Sequence, residues 1–189
     1  MSKSRARQSA NQIRIIGGQW RGRKLSFPDA EGLRPTADRV RETLFNWLAG
    51  EIAGARCLDM FAGSGALGFE ALSRGADHCC FVDQNASVLK QIRANCTLLE
   101  AGARSELIVA DASKPLDVSG AFDIVFLDPP FKGSALNTCL DWLVTSPLLT
   151  PNSLIYIETA KNTLWRNDGL NVIKEKQAGD VAFKLAQLC

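Results

Sequence analysis

Beyond residue 55, the chain alternates between short apolar runs and segments in which apolar residues recur every three or four positions. The runs predict strands buried on both faces, and the spaced segments predict helices with one buried face. The predicted strands are "ARCLDMF", "HCCFVD", "ELIVAD", "FDIVFLD", "SLIYIET", "LNVIKEKQ" and "DVAFKLAQL". The predicted helices are "ALGFEALSRG", "ASVLKQIRANCTLLEAG" and "SALNTCLDWLVTSPLL".

This alternation predicts an α/β fold with a mostly parallel seven-stranded sheet and helices on both faces, because parallel neighbours are joined by crossover helices. The last two strands flank Gly179 and predict a closing C-terminal β-hairpin. At 189 residues and 46% hydrophobic content, the chain is large enough for one globular core.

The first 50 residues follow a different pattern. Residues 1–12 predict a disordered basic tail, and residues 13–27 predict a small β-hairpin that turns at Gly17-Gly18. A helix follows, with Pro35 and Thr36 as its expected N-cap and Gly50 as its end. We therefore expect a basic hairpin-and-helix region over 13–50, forming one globular unit with the domain over 51–189.

Charge is unevenly distributed along the chain. Residues 1–41 contain ten basic and three acidic residues, whereas the remaining 148 contain twelve basic and seventeen acidic ones. A basic region joined to a neutral-to-acidic body indicates a polyanionic ligand, and nucleic acid is the expected one. For residues 1–12 alone, a solvated tail is the favoured interpretation. On the predicted helix, Arg39 and Arg41 are expected to lie off the face formed by Val40, Leu44, Trp47 and Leu48.

Other classes of protein are disfavoured. No apolar run is long enough to span a membrane, and the N-terminus lacks the apolar segment of a secretory signal, so a cytoplasmic location is expected. Six cysteines without a C-x-x-C spacing, together with a single histidine, His78, predict neither a metal site nor a disulfide framework.

A glycine-rich loop follows the first strand of the α/β region. In "CLDMFAGSGALGFEAL", Gly63, Gly65 and Gly68 satisfy the G-x-G-x-x-G pattern between a strand and a helix. Asp83 ends the next strand, 20 residues after Gly63, which is the spacing of a carboxylate that binds ribose hydroxyls. Strand, loop, helix and acid together predict a cofactor that contains a nucleoside.

Asp59 distinguishes between possible cofactors. It immediately precedes the loop, where an acid would repel the pyrophosphate of a dinucleotide but would suit a cationic ligand such as the ammonium and sulfonium groups of S-adenosylmethionine. Asp111 follows the third strand and is expected to accept a hydrogen bond from an adenine amine. The alternative is that Asp111 only forms an Asx-turn at the end of the strand.

The stretch "DIVFLDPPFKG" ends a predicted strand on Asp128. By chain order, that strand neighbours the strand before the glycine-rich loop, and ligands of such sheets bind beyond the carboxyl ends of the strands. One interpretation is a plain strand terminus, since proline cannot donate to a sheet. The other is that Asp128 and the carbonyl of Pro129 accept the hydrogens of an exocyclic amine, with Pro130 stiffening the loop and Phe131 stacking on the base.

These motifs resemble those of the class I S-adenosylmethionine-dependent methyltransferases. "RIIGGQWRGRKL", "GLRPTADRVRETLFNWL", "FAGSGALGFEALSRGA" and "DPPF", in this order, are similar to the RsmD-type bacterial 16S rRNA guanine-N2 methyltransferases. The resemblance covers the chain from about Ile13 to Leu188 and implies a Rossmann-like class I methyltransferase fold. One departure is Asp83, where relatives often carry Glu.

The resemblance assigns the candidate site. S-adenosylmethionine would be bound by Asp59, Phe61, Ala62, Gly63, Ser64, Gly65, Asp83, Asp111 and Ala112. The catalytic group would be Asp128, Pro129, Pro130 and Phe131. RNA would be bound by Arg14, Arg21, Arg23, Lys24, Arg34, Thr36, Arg39 and Arg41. The implied partner is 16S rRNA within a small ribosomal subunit or an assembly intermediate, and the protein is expected to be a monomer.

Three alternatives to this function stay open at this point. An Asp-Pro-Pro-aromatic motif also occurs in methyltransferases that act on adenine N6. A glycine-rich loop of this kind also serves NAD-dependent oxidoreductases, although Asp59 and "DPPF" argue against one. A non-enzymatic RNA-binding module is disfavoured by the intact cofactor loop.

Overall fold

The computed structural model describes residues 11–29, 36–131, 134–165 and 169–189. Its strands are β1 Asn11–Arg14, β2 Lys24–Phe27, β3 Arg56–Asp59, β4 His78–Asp83, β5 Ser105–Val109, β6 Phe122–Leu127, β7 Leu149–Ala160, β8 Leu170–Ala178 and β9 Val181–Leu188. Its helices are α1 Asp38–Trp47, α2 Ala66–Ser73, α3 Ala86–Leu98 and α4 Ala135–Leu143, and a short 3-10 helix spans Gly102–Arg104.

Seven strands form one sheet in the order β5-β4-β3-β6-β7-β9-β8. The strands from β5 to β7 pair in parallel, and β9 inserts antiparallel between β7 and β8. The predicted mostly parallel sheet and the closing hairpin are thus confirmed. Among the described residues, no helix combines the length and apolar character that crossing a membrane requires.

The sheet separates two apolar layers, because successive side chains of a strand point to opposite faces. On β6, Phe126 packs in a cluster with residues of α1, α2 and α3, whereas Val125 packs in a second cluster with residues of α4. Both side chains are fully buried. Burial on both faces explains why the parallel strands read as continuous apolar runs.

The N-terminal hairpin belongs to the first of these layers. Ile13 of β1 and Leu25 of β2 are buried there with Phe69 of α2. Asn11 and Gln12 form part of β1, so the predicted tail over 1–12 extends too far; residues 1–10 lie outside the described part of the chain.

The connection between β1 and β2 is also longer than predicted. It is a loop over residues 15–23 rather than a tight turn at Gly17-Gly18, and it rests on the C-terminal end of α2. Gly18 has a φ of +73°, and a Cβ there would lie 1.8 Å from the carbonyl oxygen of Ser73. The two glycines therefore permit a close approach of the loop to α2 instead of reversing the chain.

A buried carboxylate holds this loop in place. Glu70 of α2 is fully buried and accepts hydrogen bonds from the backbone N–H groups of Ile16 at 2.8 Å and Gly17 at 2.7 Å. It also accepts from Nε of Arg74 at 2.7 Å, and an amino nitrogen of Arg41 lies 3.8 Å away. Glu70 thereby joins the N-terminal region to the helix that follows the glycine-rich loop.

The prediction that Arg41 lies on the surface and binds RNA is wrong. Its side chain is 1% exposed, because its guanidinium pairs with Asp38 and donates to the carbonyl oxygens of Arg14, at 3.0 Å, and Thr36, at 3.3 Å. Arg41 therefore ties together the residues around the start of α1 and cannot reach a phosphate on the surface. The residue before α1 is Ala37, whose side chain offers no cap, so the predicted N-cap at Thr36 is also wrong, and Pro35 lies outside the described residues.

We expect Glu70→Gln to destabilise the protein by about 3–5 kcal/mol, because it removes the buried negative charge that pairs with Arg74 and faces Arg41, and it brings an amide N–H group towards hydrogen-bond donors. Chemical denaturation measures this difference. The matched control is Glu42→Gln on the exposed face of α1, which should change stability by no more than about 0.5 kcal/mol. Equal effects of the two substitutions would show that the Glu70 network does not hold the N-terminal region.

Candidate active site at the carboxyl edge of the sheet

Three acids lie in a row where neighbouring parallel strands end. Asp59 ends β3, Asp83 ends β4, and Asp128 follows β6 directly. In the register of the β3–β6 pair, Asp59 lies opposite Phe126, two residues before Asp128. The parallel pairing therefore brings together carboxylates that are separated by 24 to 69 positions in the chain.

The glycine-rich loop turns as its sequence predicts. Gly63 and Gly65 have positive φ angles of 50° and 77°, which glycine adopts without strain. A Cβ at Gly65 would lie 2.6 Å from the ring of Phe69, and one at Gly68 would lie 2.2 Å from the ring of Phe81. The glycines thus serve both the turn and the close packing of α2 on the sheet.

Asp83 has a role in the loop that the sequence did not reveal. Its Oδ2 accepts a hydrogen bond from the backbone N–H of Gly63 at 3.0 Å, and its Oδ1 accepts from the N–H of Asn85 at 2.8 Å. Asn85 in turn caps α3 by accepting from the N–H of Ser87. Asp83 therefore fixes the loop on its own strand, while each of its oxygens has a further lone pair for a ligand.

Asp59 is a buried acid, 2% exposed, that accepts a hydrogen bond from the backbone N–H of Gly68 at 3.1 Å. Burial raises its pKa to about 7, against the lowering effect of the Gly68 hydrogen bond, and the charges of Asp128 and Asp83 raise it further. A cation brought close to this group would lower its pKa again. The acids of this edge thus fit a positively charged ligand better than a phosphate.

Asp111 forms the Asx-turn that was the alternative to a cofactor contact. Its Oδ1 accepts from the backbone N–H of Ser113 at 3.0 Å and from the Ser113 hydroxyl at 2.7 Å, and these two bonds lower its pKa. The next residue, Ala112, is buried, and its carbonyl oxygen accepts from Nε1 of Trp142 at 3.2 Å. The contact of Asp111 with adenine stays a prediction.

The three remaining residues assigned to the cofactor, Phe61, the buried Ala62 and Ser64, lie on the glycine-rich loop itself. Phe61 is half-buried and packs against the apolar cluster on the α4 face of the sheet. Ser64 is buried, 5% exposed. All three lie at the same edge of the sheet as the acids.

Asp128 is half-buried and held by a residue from the N-terminal region. The hydroxyl of Thr36 donates to its Oδ2 at 3.0 Å. Burial raises the pKa of Asp128 to about 6, although the Thr36 hydrogen bond opposes this shift. Thr36 is 6% exposed and faces the acid, so its assignment as an RNA ligand is corrected to a neighbour of Asp128.

A small cavity opens beside the Asp-Pro-Pro-Phe loop. Phe131, at the rim of the cavity, is 48% exposed, and Pro129 is buried while Pro130 is exposed. The lining residues come from this loop, from α4 and from the end of β7, and are Pro129, Pro130, Phe131, Leu136, Glu158, Thr159, Ala160 and Thr163. The cavity itself has room for about one water molecule, so a planar base would stack on the exposed Phe131 rather than enter it.

Sequence reasoning missed two residues on β7. Glu158 is 4% exposed, and its Oε2 accepts from the hydroxyl of Tyr156 at 2.7 Å. Burial, together with the charge of Asp128, raises the pKa of Glu158 to about 8. The signal in the sequence was an acid near the end of the apolar run "SLIYIET", since buried strands rarely carry an unpaired acid.

Most of the basic residues assigned to RNA are on the surface. Arg14, Arg21, Arg23, Lys24 and Arg39 are exposed. Arg14 lies 3.5 Å from Asp38, and Arg23 donates to the carbonyl oxygen of Leu98 at 3.2 Å. Arg34 lies outside the described residues. The exposed group clusters around the hairpin and the start of α1.

The chain is similar to known proteins over nearly its whole length. A family model described as "Conserved hypothetical protein 95" matches residues 13–187. The chain is 47% identical over 183 residues to the ribosomal RNA small subunit methyltransferase D of Escherichia coli strain K12, covering 94% of this chain and 91% of the relative. It is 42% identical over 192 residues to the protein of the same name from Haemophilus influenzae, covering 99% and 100%.

Solved structures agree with this similarity. The putative methyltransferase yhhF from Escherichia coli superposes with a TM-score of 0.85 at 44% identity, covering 94% of this chain and 98% of that one. A Thermus thermophilus 16S rRNA N2 G1207 methyltransferase, solved with AdoMet and guanosine, superposes with a TM-score of 0.73 at 17% identity, covering 95% and 50%. The predicted class I methyltransferase fold is confirmed.

We expect Thr36→Val to raise the pKa of Asp128 above about 6, because the substitution removes the hydrogen bond that favours the carboxylate. Thr36→Ser keeps the hydroxyl and should leave the pKa close to its original value. Carboxyl carbon NMR titration of the labelled aspartates, with Asp128→Asn to assign the signal, measures the shift. An unchanged or lowered pKa in Thr36→Val would contradict the described hydrogen bond.

Proposed function

The chain belongs to the family of ribosomal RNA small subunit methyltransferase D, and on that basis we propose that it transfers a methyl group from S-adenosylmethionine to the exocyclic N2 amine of a guanine in 16S rRNA. The observation that carries the proposal is the position of Asp128, half-buried at the carboxyl end of β6 and next to the strand that leads into the glycine-rich loop. This position would put the acid between the cofactor proposed for the glycine-rich loop and a base stacked on the exposed Phe131.

The residues of the sheet edge fit S-adenosylmethionine. Asp59 would offer a buried carboxylate to the cationic methionine end, Asp83 would offer oxygens to the ribose, and Asp111 would accept from the adenine amine. When bound, this cofactor supplies a methyl group already activated by a cationic sulfur. The protein therefore has to bind, align and desolvate the reacting groups rather than activate the methyl group.

Asp128 and Pro129 would orient the target amine. The lone pair of a guanine N2 nitrogen is delocalised into the ring, so the amine is a weak nucleophile. If the Asp128 carboxylate and the Pro129 carbonyl oxygen each accept one N–H, the nitrogen can pyramidalise and direct its lone pair towards the methyl group. Alignment of this kind can lower a barrier by about 7–11 kcal/mol.

The ionisation state of Asp128 at neutral pH suits this role. With a pKa of about 6, the group is largely ionised at pH 7 and can accept a hydrogen bond from the amine. It can also take the proton that the nitrogen must lose once the new carbon–nitrogen bond has formed. Prolines at 129 and 130 have no N–H, so they leave the loop with acceptors only.

The exposed basic residues around the hairpin and α1 would bind the RNA backbone. A base within a stack cannot reach the cavity beside Phe131, so the target nucleotide has to be extruded or unpaired. The proposed substrate is 16S rRNA within a small subunit or an assembly intermediate. We propose further that the protein acts as a cytoplasmic monomer.

The test of this function is methyl transfer from labelled S-adenosylmethionine to small ribosomal subunits and to free rRNA from a strain that lacks the enzyme. Digestion and nucleoside analysis should give N2-methylguanosine. Asp128→Asn should keep the cofactor affinity but lower turnover by about 100-fold or more, because the amine is no longer oriented. Asp117→Asn, at an exposed site, is the matched control.

Recovery of the labelled methyl group in N6-methyladenosine would show instead that the enzyme acts on adenine N6. Wild-type turnover in Asp128→Asn would remove the role given to Asp128. Stabilisation by NAD and not by S-adenosylmethionine in a thermal-shift comparison would indicate an oxidoreductase.

We expect the double charge reversal Arg21→Glu/Arg23→Glu to weaken RNA binding and to reduce its salt dependence, because phosphate contacts release counterions. Affinity for S-adenosylmethionine should survive. Lys174→Glu/Lys176→Glu, which makes the same change of charge on exposed β8, is the matched control. Filter binding at several salt concentrations measures the difference. Equal losses in the two double variants would mean that the hairpin has no special part in RNA binding.

A further inference from the structure

The two faces of the sheet differ in charge. The N-terminal hairpin, α1, α2 and α3 cover one of them, which we call the hairpin face, and α4 covers the other. Residues 11–28 and 84–99, which include the hairpin and α3, contain four and two basic residues and no acidic one, while α1 carries two of each sign. Residues 134–160, which include α4 and β7, contain two acidic residues and no basic one. A polyanion is therefore attracted to the hairpin face.

Two cations of α3 lie on its outer side. Lys90, Arg93 and Thr97 recur at intervals of three and four residues and are exposed, whereas Val88 and Ile92 of the same helix are buried. Neither Lys90 nor Arg93 forms an ion pair within the part of the chain that the structure describes. Both charges are therefore available to an external anion.

Hydrogen bonds join α3 directly to the basic hairpin. Nδ2 of Asn95 donates to the carbonyl oxygen of Ser26 at 2.9 Å, and an amino nitrogen of Arg23 donates to the carbonyl oxygen of Leu98 at 3.2 Å. The Arg23 guanidinium has further N–H groups that a phosphate can accept from. The exposed cations of the hairpin and those of α3 thus belong to one surface.

The same contacts fix the direction of this surface. Along β2, Ser26 follows Arg23, whereas along α3 their partner Asn95 precedes Leu98, so the two elements run in opposite directions. The end of β2 therefore lies towards the start of α3, which follows Asp83 at the carboxyl edge of the sheet. The basic surface leads from the hairpin loop to the edge where the cofactor is proposed to bind.

A further cation of the hairpin face is engaged within the protein. Nη1 of Arg104 donates to the carbonyl oxygens of Leu72 and Ala76, both at 3.3 Å. Its guanidinium carbon lies 5.2 Å from the centre of the Trp20 ring. Arg104 therefore holds the hairpin loop against the fold, and Lys90 and Arg93 remain as the available cations of this region.

We propose that the 16S rRNA lies across the hairpin face and that Lys90 and Arg93 bind its phosphates in addition to those bound by the hairpin. This inference rests on the proposed function, since it takes an RNA as the substrate. Phosphate contacts supply affinity and register without reading the sequence. Lys90 and Arg93 therefore increase the affinity for the substrate and do not take part in the alignment of the target amine.

The affinity is tested with the double charge reversal Lys90→Glu/Arg93→Glu. It should weaken binding to small ribosomal subunits by about 10-fold or more at low salt, and it should make the salt dependence less steep by about two phosphate contacts. KM for the RNA should rise while kcat at saturating RNA and the affinity for S-adenosylmethionine stay unchanged. Lys174→Glu/Lys176→Glu on exposed β8 makes the same change of charge and should have little effect.

The face is tested by cross-linking from Thr97→Cys and from Thr145→Cys, each combined with Cys189→Ser. Both threonines are exposed, on α3 and just after α4, and each hydroxyl donates to a nearby carbonyl oxygen of its own segment at 3.2 Å. The other five cysteines are buried, so a photoreactive azide should attach mainly to the new thiol. Small-subunit RNA should be cross-linked from position 97 and not from position 145.

Equal losses of affinity in the two double charge reversals would overturn the inference, as would cross-linking from position 145 alone. Neither measurement requires methyl transfer. RNA binding through the hairpin face without any methylated product would refute the proposed function and leave the inference standing. Methylation of guanine N2 with equal losses in the two double variants would refute the inference alone.

Discussion

The parallel pairing of β3 with β6 is the constraint on which the rest of the site depends. It sets Asp59 and Asp128 at one edge of a sheet whose faces are both covered by apolar layers. Water is scarce at such an edge, so burial raises the pKa of each acid. Their carboxyl groups then respond strongly to a cation, an amine or a neighbouring hydroxyl. The strand order that defines the fold therefore also determines the pKa values of these acids.

The N-terminal region contributes to the site as well as to the surface. Glu70 anchors its loop on α2, and Arg41 ties the residues around the start of α1 to that anchor. Thr36 stands at the end of this set of contacts and donates to Asp128. The same segment that carries exposed basic residues thus supplies a hydrogen bond to Asp128. Under the proposed function, RNA affinity and the ionisation state of Asp128 would both depend on this segment.

Local patterns predicted the sheet, the glycine-rich loop and the acids at the strand ends, because apolar runs and glycines report local geometry directly. They failed for Arg41, whose burial depends on Glu70, 29 positions further along the chain. They failed likewise for Thr36, which meets Asp128 only when the segment before α1 reaches the end of β6, and for Glu158, which is buried beside Tyr156 on β7. Pairings between distant polar residues leave no period in the sequence. The one sequence pattern that points to Glu158 is an acid inside an apolar run.

The central claim is that Asp128 and Pro129 hold an exocyclic amine in front of the cofactor methyl group. A crystal structure with S-adenosylhomocysteine and guanosine, or a short RNA that contains the target, tests it most directly. We predict that the N2 nitrogen lies within about 3 Å of an Asp128 oxygen and of the Pro129 carbonyl oxygen, with the base against Phe131. A base bound elsewhere, or one that presents a different edge to Asp128, would contradict the account.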